Sequence, residues 1–137
     1  ENEMHYRSLL NAMHRELWRR GPDDAGTCLT KHCGLSHSRL SIIDIAGGHQ
    51  PMVRTAGGRT CMIVYNGELY NGSELRSLLK ERGWTFATSC DTEVILLGFM
   101  EFGPEFVKRL NGIFAFAVFD SREETLHLFR DPMGVKP

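Results

Sequence analysis

The chain lacks an excess of charge, a long hydrophobic run and a paired cysteine motif, and each absence removes a class of function. Its formal net charge is −1 over 137 residues, so nothing draws it electrostatically to nucleic acid or acidic lipid. No apolar run approaches the roughly 18 residues that suggest a membrane span, and no segment has the form of a signal peptide. Cys28 and Cys33 flank Leu-Thr-Lys-His, while Cys61 and Cys90 stand far away without a C-x-x-C pair. That spacing is poor for zinc and points to free, mostly buried thiols of a reducing compartment. No phosphate-cradling glycine loop, internal repeat or low-complexity stretch occurs. With 42% hydrophobic and 24% charged residues, the remaining default is a single soluble domain that can bury a core but has little stability to spare.

Periodicity predicts a mixture of helices and strands. Tyr6, Leu10, Met13 and Leu17 recur at helical spacing, giving an amphipathic helix that packs on the core and ends near Trp18, before Gly21-Pro22. Cys28 to Thr30 and Leu35 to Ile43 read as strands joined through Cys33-Gly34, followed by a loop from Gly47 to Pro51. Cys61 to Tyr65 forms the next strand. Ser73 is placed to cap a helix running through Leu75, Leu78 and Leu79 to a stop at Gly83. Another helix starts at Asp91 and turns Val94, Ile95, Phe99 and Phe102 inward, with Gly98 as an internal cost. Ile113 to Phe119 and Thr125 to Phe129 read as a hairpin, in which His127 is a packed residue.

The run Tyr65-Asn66-Gly67-Glu68-Leu69-Tyr70-Asn71 carries the most chemistry. It leaves the apolar strand Met62-Ile63-Val64 and supplies a side-chain amide, an open backbone N–H and a carboxylate together. Its bland alternative is a β-turn, for which Asn-Gly is a common dipeptide.

Read with its neighbours, this run has a family likeness. Arg20-Gly21-Pro22-Asp23-Asp24, His37-Ser38-Arg39-Leu40-Ser41-Ile42-Ile43-Asp44, Gly47-Gly48-His49-Gln50-Pro51-Met52, Cys90-Asp91-Thr92-Glu93 and Arg130 to Pro137 surround it in order. Together they resemble the glutaminase domain of asparagine synthetase, a class II glutamine amidotransferase, over nearly the whole chain from about Met4 to Pro137. The resemblance implies an α+β fold, the four-layer αββα sandwich of the N-terminal-nucleophile hydrolases. It also implies hydrolysis of glutamine to glutamate and ammonia, passed to ATP-dependent amidation of aspartate by a synthetase domain of the same polypeptide.

Residue by residue, Asn66 and Gly67 match the oxyanion donors. Arg39 matches the arginine that grips the substrate α-carboxylate, a task suited to a planar guanidinium. Leu40, Ser41, Ile42 and Ile43 continue the pocket wall, and Glu68 and Asp91 match the acidic positions that receive the α-amino group. The structural alternatives are an N-cap for Asp91 and a surface ion pair for Arg39. Pro22, Gly47, Gly48, Pro51 and Pro132 are read as architectural, Asp131 and Lys136 as local pairing or capping groups, and His49 as a loop residue. No metal or cofactor is expected in this domain; ATP and magnesium belong to the synthetase domain. The implied partners are glutamine and that domain, with a homodimer left open and no nucleic acid or membrane, and the implied location is cytoplasmic.

Three departures matter. The chain begins Glu1-Asn2-Glu3-Met4, with no N-terminal cysteine to attack through its thiolate while its own amino group moves the proton. Arg19 stands where the family usually shows histidine. Residues 1–137 therefore read as a partial glutaminase domain, incomplete at both ends, whose synthetase domain lies outside them. The alternative is a non-catalytic glutamine-binding or partner-binding module. The Arg39-Leu40-Ser41-Ile42-Ile43-Asp44 motif looks like the asparagine synthetase version rather than the tryptophan-containing version of other amidotransferases.

Overall fold

The computed structural model describes residues 2–40 and 48–137, which fall into two units, Glu1–Pro51 and Met52–Pro137. In the first, helix α1 (Asn2–Leu17) runs into a 3₁₀ turn, Trp18–Arg20, and then into an antiparallel hairpin of β1 (Asp24–Leu29) and β2 (Gly34–Arg39). The Cα partners run from Asp24 opposite Arg39 to Leu29 opposite Gly34. Thr30 closes the turn, its N–H donating to the Cys33 carbonyl at 2.7 Å and its hydroxyl accepting the Cys33 N–H at 3.0 Å.

Two expectations change here. β1 begins earlier than Cys28 and stops before Thr30, whose hydroxyl serves the turn instead, as short polar side chains do. β2 ends at Arg39 among the described residues, and Ser41, Ile42 and Ile43, like Gly47, lie outside them. The α1 stripe is also only partly used. Leu10 is buried, whereas Tyr6, Met13 and Leu17 are exposed. A two-stranded sheet is too narrow to cover a helix face of that width, and α1 meets it through Leu10 against Gly34 and through the His14 ring, 3.2 Å from the Ser36 and Ser38 hydroxyls.

The second unit is built on an antiparallel sheet ordered β3 (Met52–Ala56), β4 (Arg59–Leu69), β5 (Gly112–Asp120) and β6 (Thr125–Arg130). One face carries the core. Cys61, Ile63, Tyr65 and Leu69 of β4, with Phe114, Phe116 and Val118 of β5, meet Leu75 and Leu79 of α2 (Gly72–Glu81) and Val94 to Met100 of α3 (Asp91–Phe102). Side chains of this size contribute roughly 1.5–3 kcal/mol each when fully buried. Large and small residues alternate along β5 because of the pleat: Phe114, Phe116 and Val118 face the helices, and Ala115 and Ala117 face the other way. His127 packs as expected, its ring centroid 5.2 Å from that of Phe99.

The hairpin of β3 and β4, turned by Gly57 and Gly58 at φ 56° and 72°, is not anticipated, although Gly-Gly between two short β-prone runs is a hairpin signal. The larger correction concerns β4. It does not stop at Tyr65 but continues through Asn66, Gly67 and Glu68, paired with Ala115, Phe114 and Ile113. That run is therefore strand, neither a strand mouth nor a β-turn. The reason is non-local: β5 lies alongside, and a Cβ on Gly67 would collide with the Ile113 carbonyl oxygen.

Helix α2 starts at Gly72 with Asn71, not Ser73, in the N-cap position. The Asn71 side chain ties across to the end of a 3₁₀ turn, Pro104–Arg109, and to the residue just before β5, donating to the Arg109 carbonyl at 2.8 Å and accepting the Asn111 N–H at 3.0 Å. Gly83, at φ 91°, follows the helix end as expected. Gly98 is explained by packing, since a Cβ there would enter the Phe106 ring. Asp131 is a local cap: its carboxylate accepts the N–H groups of Phe114, Val135 and Lys136 at 3.0–3.2 Å. The four cysteines are free, Cys61 buried and the other three half-buried.

Candidate functional site

The backbone of β4 alternates its allegiance. Tyr70 N–H donates to the Asn111 carbonyl at 2.7 Å and Ser121 N–H to the Thr60 carbonyl at 2.9 Å, so the even-numbered residues of β4 turn their peptide groups toward β5. Odd-numbered residues turn theirs the other way. For Ile63 that direction meets Met52, the first residue of β3. Beyond it β3 gives no cover, and the Leu69 N–H is taken by the Asp91 carboxylate at 2.9 Å. The Gly67 N–H lies between these two, pointing out of the β4–β5 ladder. Its partner residue confirms the parity, because Phe114 N–H and carbonyl are both engaged with Asp131, at 3.1 and 2.8 Å.

The side chains obey the same alternation. Tyr65 and Leu69 point into the core, and Asn66 and Glu68 stand exposed on the opposite face. Asn66 thus offers an amide perpendicular to the sheet beside an N–H that lies in its plane. Glycine is required at 67 by the close approach of β5, where a Cβ would meet the Ile113 carbonyl and the Phe114 backbone.

Asp91 is the first residue of α3, behind an N-cap position held by Cys90, so it is not the cap considered above. One carboxylate oxygen secures Leu69. The other lies 3.1 Å from where a Cβ of Gly72 would be, and glycine there keeps its surroundings open. Burial pushes the Tyr65 phenol well above its usual range, and the Asp91 and Glu68 charges push the same way. Two carboxylates therefore act on one end of β4, an environment that favours a cation. Asn66, Gly67 and Glu68 are consecutive on β4, and Asp91 is tied to its last residue, Leu69.

Arg39 ends β2 in the first unit. Its backbone is fixed on two sides, by pairing with Asp24 and by a bridge to Pro22, and its carbonyl accepts the Asp23 N–H at 3.0 Å. Its guanidinium lies so close to Gly48 that a Cβ there would collide with it. Leu40 follows, exposed, and Ser41, Ile42 and Ile43 lie outside the described residues. One contact is not legible in the sequence: the His49 ring, held above to be a loop residue, bridges both Asp24 carboxylate oxygens through Nδ1 at 3.0 and 3.3 Å. Twenty-odd residues separate the two, and no local pattern pairs them.

Two of the cysteines have surroundings that oppose activation of the thiol. Burial pushes the Cys61 thiol up to about 11 and raises Cys33 above its usual value, with Cys28 adding to the effect. A raised thiol is a poor nucleophile near neutral pH.

The chain is similar to known proteins over most of its length. Asparagine synthetase [glutamine-hydrolyzing] 3 of Bacillus subtilis (strain 168) is 45% identical over 131 residues, covering 96% of this chain and 21% of that protein. Asparagine synthetase B [glutamine-hydrolyzing] of Escherichia coli (strain K12) is 40% identical over 123 residues, 90% of this chain and 22% of that protein. The chain thus spans about a fifth of the length of these relatives. Among solved structures, glutamine phosphoribosylpyrophosphate (PRPP) amidotransferase from B. subtilis, complexed with ADP and GMP, superimposes with a TM-score of 0.63 at 26% identity, covering 76% of this chain and 24% of that one. The fold class is accordingly the α+β, αββα type of the N-terminal-nucleophile hydrolases. The sequence profile described as "Glutamine amidotransferase domain" matches residues 1–137, and the chain belongs to that family.

Proposed function

We propose that residues 1–137 are the glutaminase part of a glutamine-hydrolysing asparagine synthetase, which cleaves the glutamine side-chain amide to glutamate and ammonia for amidation of aspartate. The observation that carries this reading is the exposed Asn66 amide beside a Gly67 N–H turned out of the sheet ladder, with Glu68 next in the strand and the Asp91 carboxylate on the strand's last residue. In it, Arg39 holds the substrate α-carboxylate, Leu40 to Ile43 form the pocket wall, and Glu68 and Asp91 receive the α-amino group.

Attack on the amide carbon makes a tetrahedral centre whose oxygen takes the negative charge. Asn66 Nδ2 and the Gly67 N–H donate to that oxygen, where fixed dipoles act more strongly than in water. Collapse expels ammonia and leaves an acyl-enzyme, which water resolves to glutamate. The nucleophile in this scheme is an N-terminal cysteine with its own amino group as base, which none of Cys28, Cys33, Cys61 and Cys90 can be. A binding-only module has no use for the oxyanion donors, so the catalytic reading is preferred.

The reading further assigns ATP and magnesium to a synthetase region of the same polypeptide, and a cytoplasmic location. No helix among the described residues is long and apolar enough to cross a membrane. A glutaminase assay on the full-length protein tests the proposal. Asn66→Ala is expected to lower turnover by about 100- to 1,000-fold while glutamine affinity changes little, the usual cost of one oxyanion donor. Equal turnover would refute the assignment.

A further inference from the structure

Asp24, Arg39, Gly48 and His49 form one cluster in the first unit. Asp24 and Arg39 are direct cross-strand partners, so their side chains leave the hairpin on the same face. An aspartate in that position is a natural ion-pair partner for the arginine. Its carboxylate is instead bridged by the His49 ring, at 3.0 and 3.3 Å. One residue before His49, the Gly48 backbone lies against the Arg39 guanidinium, near enough that no side chain fits between them.

We propose that the Asp24–His49 contact is a latch that seats Gly48 on the Arg39 guanidinium and fixes its aim, which makes Asp24 and His49 positioning residues for recognition of the glutamine α-carboxylate. The inference rests on the reading of Arg39 given above. Its logic is geometric. A guanidinium binds a carboxylate through two parallel hydrogen bonds only when its plane is held, and backbone packed against it contributes to that hold. Gly48 supplies a flat backstop. His49 keeps that backstop in place, and in doing so also occupies the carboxylate that would otherwise compete for Arg39.

The His49 side chain is 64% exposed and that of Asp24 29%, which sets the size of the effect. An exposed pair of this kind can shift an affinity by about two- to five-fold. The test is calorimetric titration of L-glutamine into the full-length protein, with thermal melting alongside. His49→Ala and Asp24→Ala should each weaken glutamine binding by about two- to five-fold with unchanged melting temperature. The double variant should be no weaker than either single one, because the same contact is lost once. His49→Asn, whose amide nitrogen can take the place of Nδ1, should restore binding.

Arg39→Lys separates the two levels of the argument. If Arg39→Lys weakens binding but His49→Ala does not, the latch is wrong and the pocket assignment stands. If Arg39→Lys also leaves binding unchanged, the pocket assignment falls and the latch with it. A loss in His49→Ala that His49→Asn fails to restore, with a lowered melting temperature, identifies ring packing instead and overturns the proposal.

Discussion

The Asp91 carboxylate accepts the Leu69 N–H at 2.9 Å, tying the first residue of α3 to the last residue of β4. That bond performs the task a fifth strand would perform, satisfying a peptide donor where β3 has ended. It also places a second carboxylate oxygen beside Gly72. One side chain thus has an architectural role and, in the proposed function, a substrate-binding role.

Replacing Asp91 with asparagine keeps the shape and an acceptor for Leu69 while removing the charge. Glutamine affinity is expected to fall by about 10- to 100-fold, the worth of one hydrogen bond to a charged group. Melting temperature should drop only slightly. Titration calorimetry on the full-length protein decides it, and an unchanged affinity removes Asp91 from the ammonium site.

Gly67→Ala confronts the Ile113 carbonyl and the Phe114 backbone. A Cβ forced into that space pushes β4 away from β5, with an expected loss of about 1–3 kcal/mol in stability. Denaturant unfolding measures the loss. An unperturbed midpoint would show that the two strands can separate freely at this point, and would weaken the claim that close approach explains this glycine.

Gly98→Ala sets propensity against packing. Alanine improves an exposed helix interior by about 1 kcal/mol over glycine, yet here the new Cβ enters the Phe106 ring. We expect net destabilisation of about 1–3 kcal/mol, partly reversed when Phe106→Leu is added. If Gly98→Ala raises the melting temperature, the local propensity wins and the packing account is wrong.

Asp120 links stability to pH. Burial alone would raise its carboxyl, but hydrogen bonds from Arg59 and from the Arg122 and Glu123 backbone, with the Arg59 charge, outweigh burial and hold it below the ordinary value of 3.8. The Arg59 guanidinium reaches Asp120 at 2.5–3.1 Å and donates to the Met100 carbonyl at 2.9 Å, joining β4, β5 and α3. Because the folded-state pKa is lowered, this contribution is complete above the ordinary carboxylate range and is lost as pH falls through the folded value. Asp120→Asn should cost about 3–5 kcal/mol near neutral pH, as when one partner of a buried pair is removed. It should also flatten the acid limb of the stability curve below about pH 4. Equal acid sensitivity in variant and parent would contradict the assignment.

Local pattern and motif order in the sequence were enough to determine the family, the helices α1 and α3 and the hairpin of β5 and β6, and to nominate Arg39, Asn66, Gly67, Glu68 and Asp91 for the proposed function. These follow from apolar periodicity, which reports burial of one face, and from residue types that few chemistries demand together. Only the tertiary structure decided that Asn66-Gly67-Glu68 is strand, that Asn71 rather than Ser73 occupies the helix N-cap position, and that His49 engages Asp24. Each of these depends on a partner far away in the chain: β5 beside Gly67, Asn111 beside Asn71, and Asp24 beside His49. A peptide group or a side chain takes the best partner that the fold brings near, and sequence separation carries no record of which one that will be.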